Sequence, residues 1–157
     1  MSTMPEKGDL APAFEGSTQT GDTISLADYQ GQFVALYFYP ADDTLLCTRQ
    51  ACNLRDHYKS LMDAGIAVIG VSPDDVASHG KFVNKFDLPF PLIADPDKAI
   101  MSAYGTWGKK NMYGNLVTGT KRTTFLIDPE GVIVHVFRRP KTENHAAEIL
   151  KRMPEAA

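Results

Sequence analysis

The stretch "TLLCTRQACNL", Thr44 to Leu54, contains both cysteines of the chain, Cys47 and Cys52. Thr44 and the two aspartates before it are side chains that commonly begin helices, so we expect a helix from about Leu45. With Thr44 as the N-cap, Cys47 is the third helical residue, where unpaired backbone N–H groups and the helix dipole favour negative charge. The position therefore favours a thiolate, the form in which cysteine is a nucleophile.

The spacing of the two cysteines alone leaves a redox role and a packing role open. Free cysteines commonly pack as small apolar side chains. A C-x-x-C oxidoreductase motif is absent, because four residues separate the pair. Cys47, Cys52 and His57 step around a helix by about 140° each, so they share no face and predict no zinc site.

The composition limits the kinds of partner. The chain has 157 residues, a formal net charge of -3 and a sequence pI of about 5.8, which argues against nucleic acid or anionic membranes. We expect one domain over residues 1–157. Neither a signal peptide nor a membrane span is predicted, and no phosphate loop or dinucleotide fingerprint implies a bound cofactor. We expect a cytoplasmic location, where a close cysteine pair is more often catalytic, redox-sensing or metal-binding than structural.

The first half of the chain predicts a βαβ unit that positions the cysteines. "FVALYFY", Phe33 to Tyr39, is a continuous apolar run, typical of a central strand buried on both faces. The cysteine helix is expected from about Leu45 to Ala64, and "IAVIGVS", Ile66 to Ser72, is a second buried strand. A helix from Pro73 to about Phe86 follows. The order predicts parallel strands and places Cys47 after the carboxyl end of the central strand, where open α/β sheets bind ligands.

The remaining segments complete a thioredoxin-like α/β fold, with a central mixed sheet flanked by helices. Ala13 to Ser25 predicts an N-terminal hairpin extension. A short helix is expected over Lys98 to Tyr104, followed by a long polar connection. "TTFLID" and "VIVHVF", Val132 to Phe137, predict a second hairpin, and Asn144 to Met153 predicts a closing amphipathic helix.

A longer segment, "FYPADDTLLCTRQAC", resembles the active-site segment of peroxiredoxins. The family pattern is Pro, three residues, Thr or Ser, two residues, Cys, which Pro40, Thr44 and Cys47 match. The resemblance continues through "GVSPDDVASHGKFVNKFDLPFPLIADPDKAIMSAYGTWGKK" and "GTKRTTFLIDPEGVIVHVF". Its pattern is similar to the bacterioferritin comigratory protein subfamily, also called the Q-type peroxiredoxins.

The resemblance implies that Cys47 attacks peroxide. The Thr44 hydroxyl, the Cys47 backbone N–H and the Arg122 guanidinium then stabilise the charge that passes to the departing oxygen. Pro40 is expected to shield the thiolate from water, in addition to ending the strand. Arg49 and Arg55, on the cysteine helix, are expected to be solvated charges.

The resemblance also implies that Cys52 resolves the Cys47 sulfenic acid by forming an intramolecular disulfide. Another branch of the subfamily carries the resolving cysteine on the next helix, where this chain has Val83. A packing role for Cys52 on the helix stays open. The implied activity is a thiol peroxidase, a monomer that reduces hydrogen peroxide and organic hydroperoxides and is recycled by thioredoxin or a similar dithiol donor.

Leu45 and Leu46 depart from the Pro-Gly that family members commonly carry between the Thr and the Cys. Two leucines put apolar bulk beside the peroxide entrance, which favours organic or lipid hydroperoxides. We expect the pair to be packed in the reduced protein and exposed when the helix unwinds.

Two other functions compete with the peroxidase. A non-enzymatic redox sensor could use the same disulfide as a switch, and catalytic turnover with a dithiol donor separates it from an enzyme. A thioredoxin-fold disulfide reductase is disfavoured by the missing C-x-x-C motif and by the presence of Thr44 and Arg122. The four histidines and Trp107 have no partner at a diagnostic spacing and predict packing or surface roles.

Overall fold

The computed structural model describes residues 4–112 and 114–153. Seven strands form one mixed sheet in the order β2-β1-β5-β4-β3-β8-β9, and β6 and β7 form a separate two-stranded ribbon. The strands are β1 Glu15–Thr18, β2 Thr23–Ser25, β3 Phe33–Phe38, β4 Ile66–Ser72, β5 Leu92–Ala94, β6 Trp107–Met112, β7 Asn115–Thr120, β8 Thr123–Ile127 and β9 Ile133–Phe137. The helices are α1 Leu45–Asp56, α2 Tyr58–Asp63, α3 Val76–Phe86, α4 Ala99–Ala103 and α5 His145–Lys151, with a 3-10 turn over Leu26–Tyr29.

Strand β3 lies at the centre of the sheet, as its sequence predicts. It pairs in parallel with β4 and antiparallel with β8. Successive side chains of β3 point to opposite faces of the sheet, so its residues enter the two cores alternately. Ala35, Tyr37 and Tyr39 pack in the cluster that contains Cys47, whereas Val34, Leu36 and Phe38 pack in the cluster on the other face. An unbroken apolar run is the physical requirement of a strand covered on both sides.

The order of elements confirms the predicted thioredoxin-like arrangement. The unit β3-α1-α2-β4 is followed by β8-β9-α5, and the N-terminal hairpin β1-β2 extends the sheet through antiparallel pairing of β1 with β5. None of the helices within the two described ranges has the length and apolarity of a bilayer span.

The cysteine helix is shorter than predicted. In place of one helix from Leu45 to Ala64, α1 ends at Asp56 and α2 begins at Tyr58, with His57 between them at φ -110° and ψ 15°. The His57 ring lies 3.0 Å from the carbonyl oxygen of Asn53, which also accepts the His57 backbone N–H at 3.2 Å. The Leu61 N–H in turn donates to the His57 carbonyl at 3.1 Å, so the interruption is confined to one residue, a detail that the apolar spacing does not reveal.

The long polar connection of the sequence is instead the β6-β7 ribbon, which turns through Gly114 at φ 83°. Asn115 to Thr118 are exposed. Because that part of the ribbon buries no face, it lacks the alternation of apolar and polar residues from which a strand is predicted.

Asn53 fastens the C-terminal helix to the cysteine helix. Its side-chain amide donates to the carbonyl oxygen of Glu143 at 3.1 Å, and its side-chain oxygen accepts the Ala146 N–H at 2.8 Å. His145 attaches the same helix to the sheet through Thr124 Oγ1, 2.8 Å from its Nε2. The second half of α1, which carries Cys52, is therefore fixed against α5.

We predict that Gly70 in β4 cannot accept a side chain without loss of stability. A Cβ there would lie 2.7 Å from Leu92 Cδ2 and 2.9 Å from Tyr37 Cζ. Gly70→Ala should therefore lower the free energy of unfolding by about 1–3 kcal/mol, as other overpacked cores show. Urea denaturation measures the change.

Gly108 in β6 provides the matched control, because a Cβ there meets nothing within 4 Å. Gly108→Ala should change the free energy of unfolding by less than about 0.5 kcal/mol. Equal urea midpoints for the two variants would contradict the close packing over Gly70.

Candidate active site

The turn between β3 and α1 is held from below by Asp42. Its carboxylate accepts hydrogen bonds from the Tyr39 hydroxyl at 2.6 Å and the Ser78 hydroxyl at 2.7 Å, and lies 2.7 Å from His79 Nδ1. The Asp42 backbone N–H donates to Asp74 Oδ2 at 2.7 Å. These contacts tie the start of the turn to α3 and to the end of β4. Sequence reasoning missed this network, because its members are up to 40 positions apart.

Asp43 completes the turn in the left-handed region, at φ 57°. Aspartate is one of the few non-glycine residues that tolerate this conformation. Its carboxylate accepts a hydrogen bond from Lys85 at 2.7 Å, which supports the strained residue from α3. Thr44 then returns to an extended conformation, at φ -91° and ψ 160°, and the helix begins.

Cys47 is the third residue of α1, as predicted. The first backbone hydrogen bond of the helix runs from the Thr48 N–H to the Thr44 carbonyl at 2.8 Å, so the preceding N–H groups have no partner of this kind. The Cys47 side chain is only 1% exposed, and its thiol is free. The Cys47 sulfur is therefore shielded from bulk water at the positive end of a 12-residue helix.

Arg122 meets this sulfur from the other half of the chain. Its Nη2 donates to Cys47 Sγ at 3.1 Å, and its Nη1 donates to Gln50 Oε1 at 2.8 Å. Arg122 lies between β7 and β8, so the antiparallel pairing of β8 with β3 brings it to the helix N-terminus. The planar guanidinium can serve both acceptors at once, which a lysine cannot do in the same geometry.

Gln50 is a site residue that sequence reasoning missed. It lies one helical turn after Cys47 and is fully buried. The spacing of three residues, which puts two side chains on the same face, is the signal that could have identified it. Its Oε1 fixes the orientation of the Arg122 guanidinium.

Thr44 and Pro40 precede Cys47 in the turn between β3 and α1, and neither side chain is hydrogen-bonded to Cys47 among the described residues. The exposed Thr44 hydroxyl donates to the Ala41 carbonyl at 3.2 Å. Pro40 is half-buried, two residues beyond the end of β3. Of these predicted residues, Arg122 is the one whose side chain is hydrogen-bonded to Cys47 in the described part of the chain.

Cys52 lies two helical turns from the N-terminus of α1, half-buried and with a free thiol. Burial raises the pKa of the Cys52 thiol; the nearby Arg55 lowers this pKa and Asp56 raises it, both to a smaller extent. Cys52 is therefore mostly protonated at neutral pH, a form in which cysteine is a poor nucleophile.

Two expectations about α1 need correction. Leu45 and Leu46 are not packed, being 74% and 49% exposed. Arg49 is exposed as expected, but Arg55 is half-buried and donates to the Phe86 carbonyl, at the last residue of α3, at 2.7 Å. The pattern of charged residues on a helix does not reveal which of them reach a neighbouring helix.

Metal-binding side chains do not gather anywhere in the described ranges. No group of three or more His, Cys, Asp or Glu residues there is arranged to hold a metal ion. The chemistry that the arrangement supports is that of a shielded thiolate, stabilised by a guanidinium and a helix N-terminus.

Comparison with known proteins identifies relatives of the whole chain. Residues 7–136 match the AhpC/TSA family. The chain is 42% identical to peroxiredoxin Bcp of Escherichia coli (strain K12) and 40% identical to peroxiredoxin Bcp of Bacillus subtilis (strain 168), in each case over 96% of both chains. It also superimposes on the Xanthomonas campestris bacterioferritin comigratory protein, studied for alkyl peroxide reduction, with a TM-score of 0.84, 32% identity and 96% coverage of both chains.

We predict that Arg122 sets the reactivity of Cys47. In a Cys52→Ser background, Arg122→Ala should slow alkylation of Cys47 by iodoacetamide at neutral pH by roughly tenfold or more. A hydrogen bond to a charged group contributes about 1.5–3 kcal/mol, and each 1.4 kcal/mol corresponds to about tenfold. Mass spectrometry of quenched samples gives the rate.

Arg49→Ala is the control, because Arg49 is an exposed charge on the same helix. It should leave the alkylation rate within about twofold, as expected for a surface charge. Equal rates in the two arginine variants would show that the contact between Arg122 and the sulfur does not govern reactivity.

Proposed function

The chain belongs to the AhpC/TSA family and is a peroxiredoxin, a thiol peroxidase; on this basis we propose that Cys47 attacks the peroxide and Cys52 resolves the product. The substrates are hydrogen peroxide and organic hydroperoxides, and thioredoxin or a similar dithiol restores the enzyme. The observation that carries the proposal is the 3.1 Å contact between Arg122 Nη2 and the sulfur of Cys47, at a helix N-terminus.

In the first step the Cys47 thiolate attacks one oxygen of the peroxide. An S–O bond forms, the O–O bond breaks, and the second oxygen leaves as hydroxide or alkoxide and takes up a proton to become water or an alcohol. The sulfur is oxidised to sulfenic acid and the peroxide is reduced. Negative charge moves from sulfur to the departing oxygen, so fixed donors along that path lower the barrier.

Arg122 and the backbone N–H of Cys47 supply two of these donors. Thr44 supplies the third when its hydroxyl turns from the Ala41 carbonyl towards the substrate, a rotation open to an exposed side chain. Pro40 contributes no N–H group and keeps water away from the sulfur. The low accessibility of Cys47 strengthens every electrostatic interaction at the site.

In the second step the Cys52 sulfur attacks the sulfenic sulfur of Cys47. The S–S bond forms and the sulfenic oxygen leaves as water. On a regular helix two residues five positions apart have Cα atoms about 8.7 Å apart, from the 1.5 Å rise and 2.3 Å radius. A disulfide requires Cα atoms within about 7 Å, so α1 must partly unwind before the bond forms.

Because Leu45 and Leu46 are exposed, unwinding the start of α1 costs less free energy than it would if the two side chains were buried. The first turn of α1 buries little apolar surface besides Cys47, whereas Asn53 fixes the second half of the helix to α5. Unwinding therefore breaks interactions mainly in the first turns of α1, as is typical of a local opening. Attack on the peroxide uses the folded site, whereas formation of the disulfide requires α1 to open first.

The same two leucines support organic hydroperoxides as substrates. They lie immediately before Cys47 and expose apolar surface at the mouth of the site. An alkyl group that covers this surface would gain binding free energy of about 25 cal/mol per Å² of apolar surface removed from water.

We predict different failures for the two cysteine variants. Cys47→Ser should abolish peroxide consumption, because it removes the nucleophile. Cys52→Ser should consume about one equivalent and then stop turning over with thioredoxin, because no thiol resolves the sulfenic acid. Donor-coupled assays with hydrogen peroxide and cumene hydroperoxide measure both.

Full activity of Cys47→Ser would contradict the assignment of the nucleophile, and full turnover of Cys52→Ser that of the resolving residue. A wild-type protein that forms the disulfide but does not turn over with a dithiol donor would instead be a redox sensor. Faster consumption of cumene hydroperoxide than of hydrogen peroxide is the result expected from the exposed leucines.

We also predict that oxidation unwinds the start of α1. Amide hydrogen exchange should show protection of Thr48 to Leu54, the amides that form helical hydrogen bonds, in the reduced protein and loss of that protection in the disulfide form, because the bond cannot close across an intact helix. The amides of β4 provide the internal reference and should exchange alike in both states. Equal protection of Thr48 to Leu54 in the two forms would show that no opening occurs.

A further inference from the structure

Two buried polar atoms, the Tyr37 hydroxyl and Gln50 Nε2, have no hydrogen-bond partner in the described part of the chain. Tyr37 is 1% exposed and Gln50 is fully buried. Unpaired buried polar groups destabilise a folded protein and are few in native structures. Tyr37 packs in the same core cluster as Cys47, and Gln50 lies one helical turn from Cys47. The two unpaired atoms therefore belong to the surroundings of one sulfur.

The fold makes room for the Tyr37 phenol. Tyr37 is paired with Gly70 on β4, and a Cβ at Gly70 would lie 2.9 Å from Tyr37 Cζ, the carbon that carries the hydroxyl. The ring also stacks on Tyr39, at 5.3 Å between centroids, and meets Phe90 edge-on at 6.0 Å. The ring is thus packed on three sides, although its hydroxyl has no hydrogen-bond partner within the two described ranges.

The orientation of the Gln50 amide is determined by Arg122. Because guanidinium nitrogens only donate, the atom at 2.8 Å from Arg122 Nη1 must be the Gln50 oxygen. The Nε2 hydrogens consequently face away from Arg122 and stay unpaired. Both unpaired groups can therefore act as hydrogen-bond donors.

Neither group donates to the sulfur of Cys47 itself, which accepts from Arg122. The proposed first step adds an oxygen atom to that sulfur. This oxygen extends beyond the sulfur and, in the sulfenate form, carries negative charge in a site shielded from water. A charged oxygen in such a place requires donors.

We propose that Tyr37 and Gln50 donate hydrogen bonds to the oxygen that Cys47 acquires from the peroxide. The proposal rests on the proposed function of Cys47. The donors have no partner before oxidation because the acceptor arrives with the substrate. Burial, and next the negative charge of Cys47, raise the pKa of Tyr37, so the phenol keeps its proton at neutral pH.

These donors stabilise the sulfenate in the folded site and so oppose the unwinding of α1. While the sulfenate stays there, it can attack a second peroxide. A second S–O bond forms, the O–O bond breaks, the sulfur is oxidised to sulfinate and the peroxide leaves as water or an alcohol. Tyr37 and Gln50 thereby set the balance between disulfide formation and overoxidation.

The test compares Tyr37→Phe with its parent, both in a Cys52→Ser background that stops the reaction at the sulfenic acid. Sulfinic acid formation is followed by mass spectrometry against pH, with hydrogen peroxide in excess. Donors favour the charged sulfenate and lower the pH at which it forms, so their loss moves the profile to higher pH. The expected shift for Tyr37→Phe is about one pH unit, the effect of one hydrogen bond to a charged acceptor.

Tyr104→Phe in the same background is the control. Tyr104 is equally buried, but it lies in the core on the other face of the sheet and donates to the Pro12 carbonyl at 2.6 Å. Its loss lowers stability without moving the pH profile. If Tyr37 had only a structural role, Tyr37→Phe would likewise lower stability and leave the pH profile unchanged.

The outcomes distinguish a failure of the donor role of Tyr37 from a failure of the proposed function of Cys47. An unchanged midpoint for Tyr37→Phe overturns the donor role of Tyr37, provided that the first equivalent of peroxide is consumed. A parent variant that consumes no peroxide at all overturns the proposed function of Cys47. A midpoint that moves in Tyr37→Phe and stays in Tyr104→Phe supports the proposal.

Discussion

The contact between Arg122 and the sulfur of Cys47 depends on almost everything else in the structure. The two residues are 75 positions apart, and they meet at 3.1 Å because β8 pairs with β3 at the centre of the sheet. The cysteine comes from the βαβ half and the arginine from the ββα half. A guanidinium next to a thiol at a helix N-terminus favours the thiolate form, in which cysteine can act as a nucleophile.

The two ends of the cysteine helix are held differently, and this difference fits the chemistry. Asp42 fixes the turn before α1 through the end of β4 and the start of α3. Asn53 fixes the second half of α1 to the C-terminal helix. Between these anchors the first turn exposes Leu45 and Leu46 and buries mainly Cys47. A segment with little buried apolar surface between two fixed points can open while the rest of the domain stays folded.

The core beneath the site is shaped as closely as the site itself. Tyr37 lies against Gly70, where a Cβ would be 2.9 Å from Tyr37 Cζ, and its hydroxyl has no hydrogen-bond partner in the described part of the chain. Gln50 uses its oxygen for Arg122 and leaves its amide nitrogen unpaired. Close packing with polar atoms left unsatisfied is a combination that proteins tolerate mainly at functional sites.

Much of this protein could be predicted from the order and pattern of its residues. The apolar run of β3, the cap before α1 and the position of Cys47 as its third residue are consequences of local backbone chemistry and of burial, and both leave a mark in adjacent letters. The order of strands and helices predicted the thioredoxin-like arrangement, and the resemblance to peroxiredoxins identified Arg122. The break at His57 and the β6-β7 ribbon were not predicted. The first is an interruption of one residue that leaves the apolar spacing intact, and in the second the exposed part of the ribbon buries no face.

The tertiary structure alone decided which side chains meet across the chain and which are left alone. The Asp42 network, the bond between Gln50 and Arg122, and the exposure of Leu45 and Leu46 depend on how separate elements pack. No periodicity encodes a contact between residues 37 or 72 positions apart, because the geometry that creates it is set by the whole sheet. Local pattern therefore determined the position of Cys47 in its helix, and packing determined which side chains surround it.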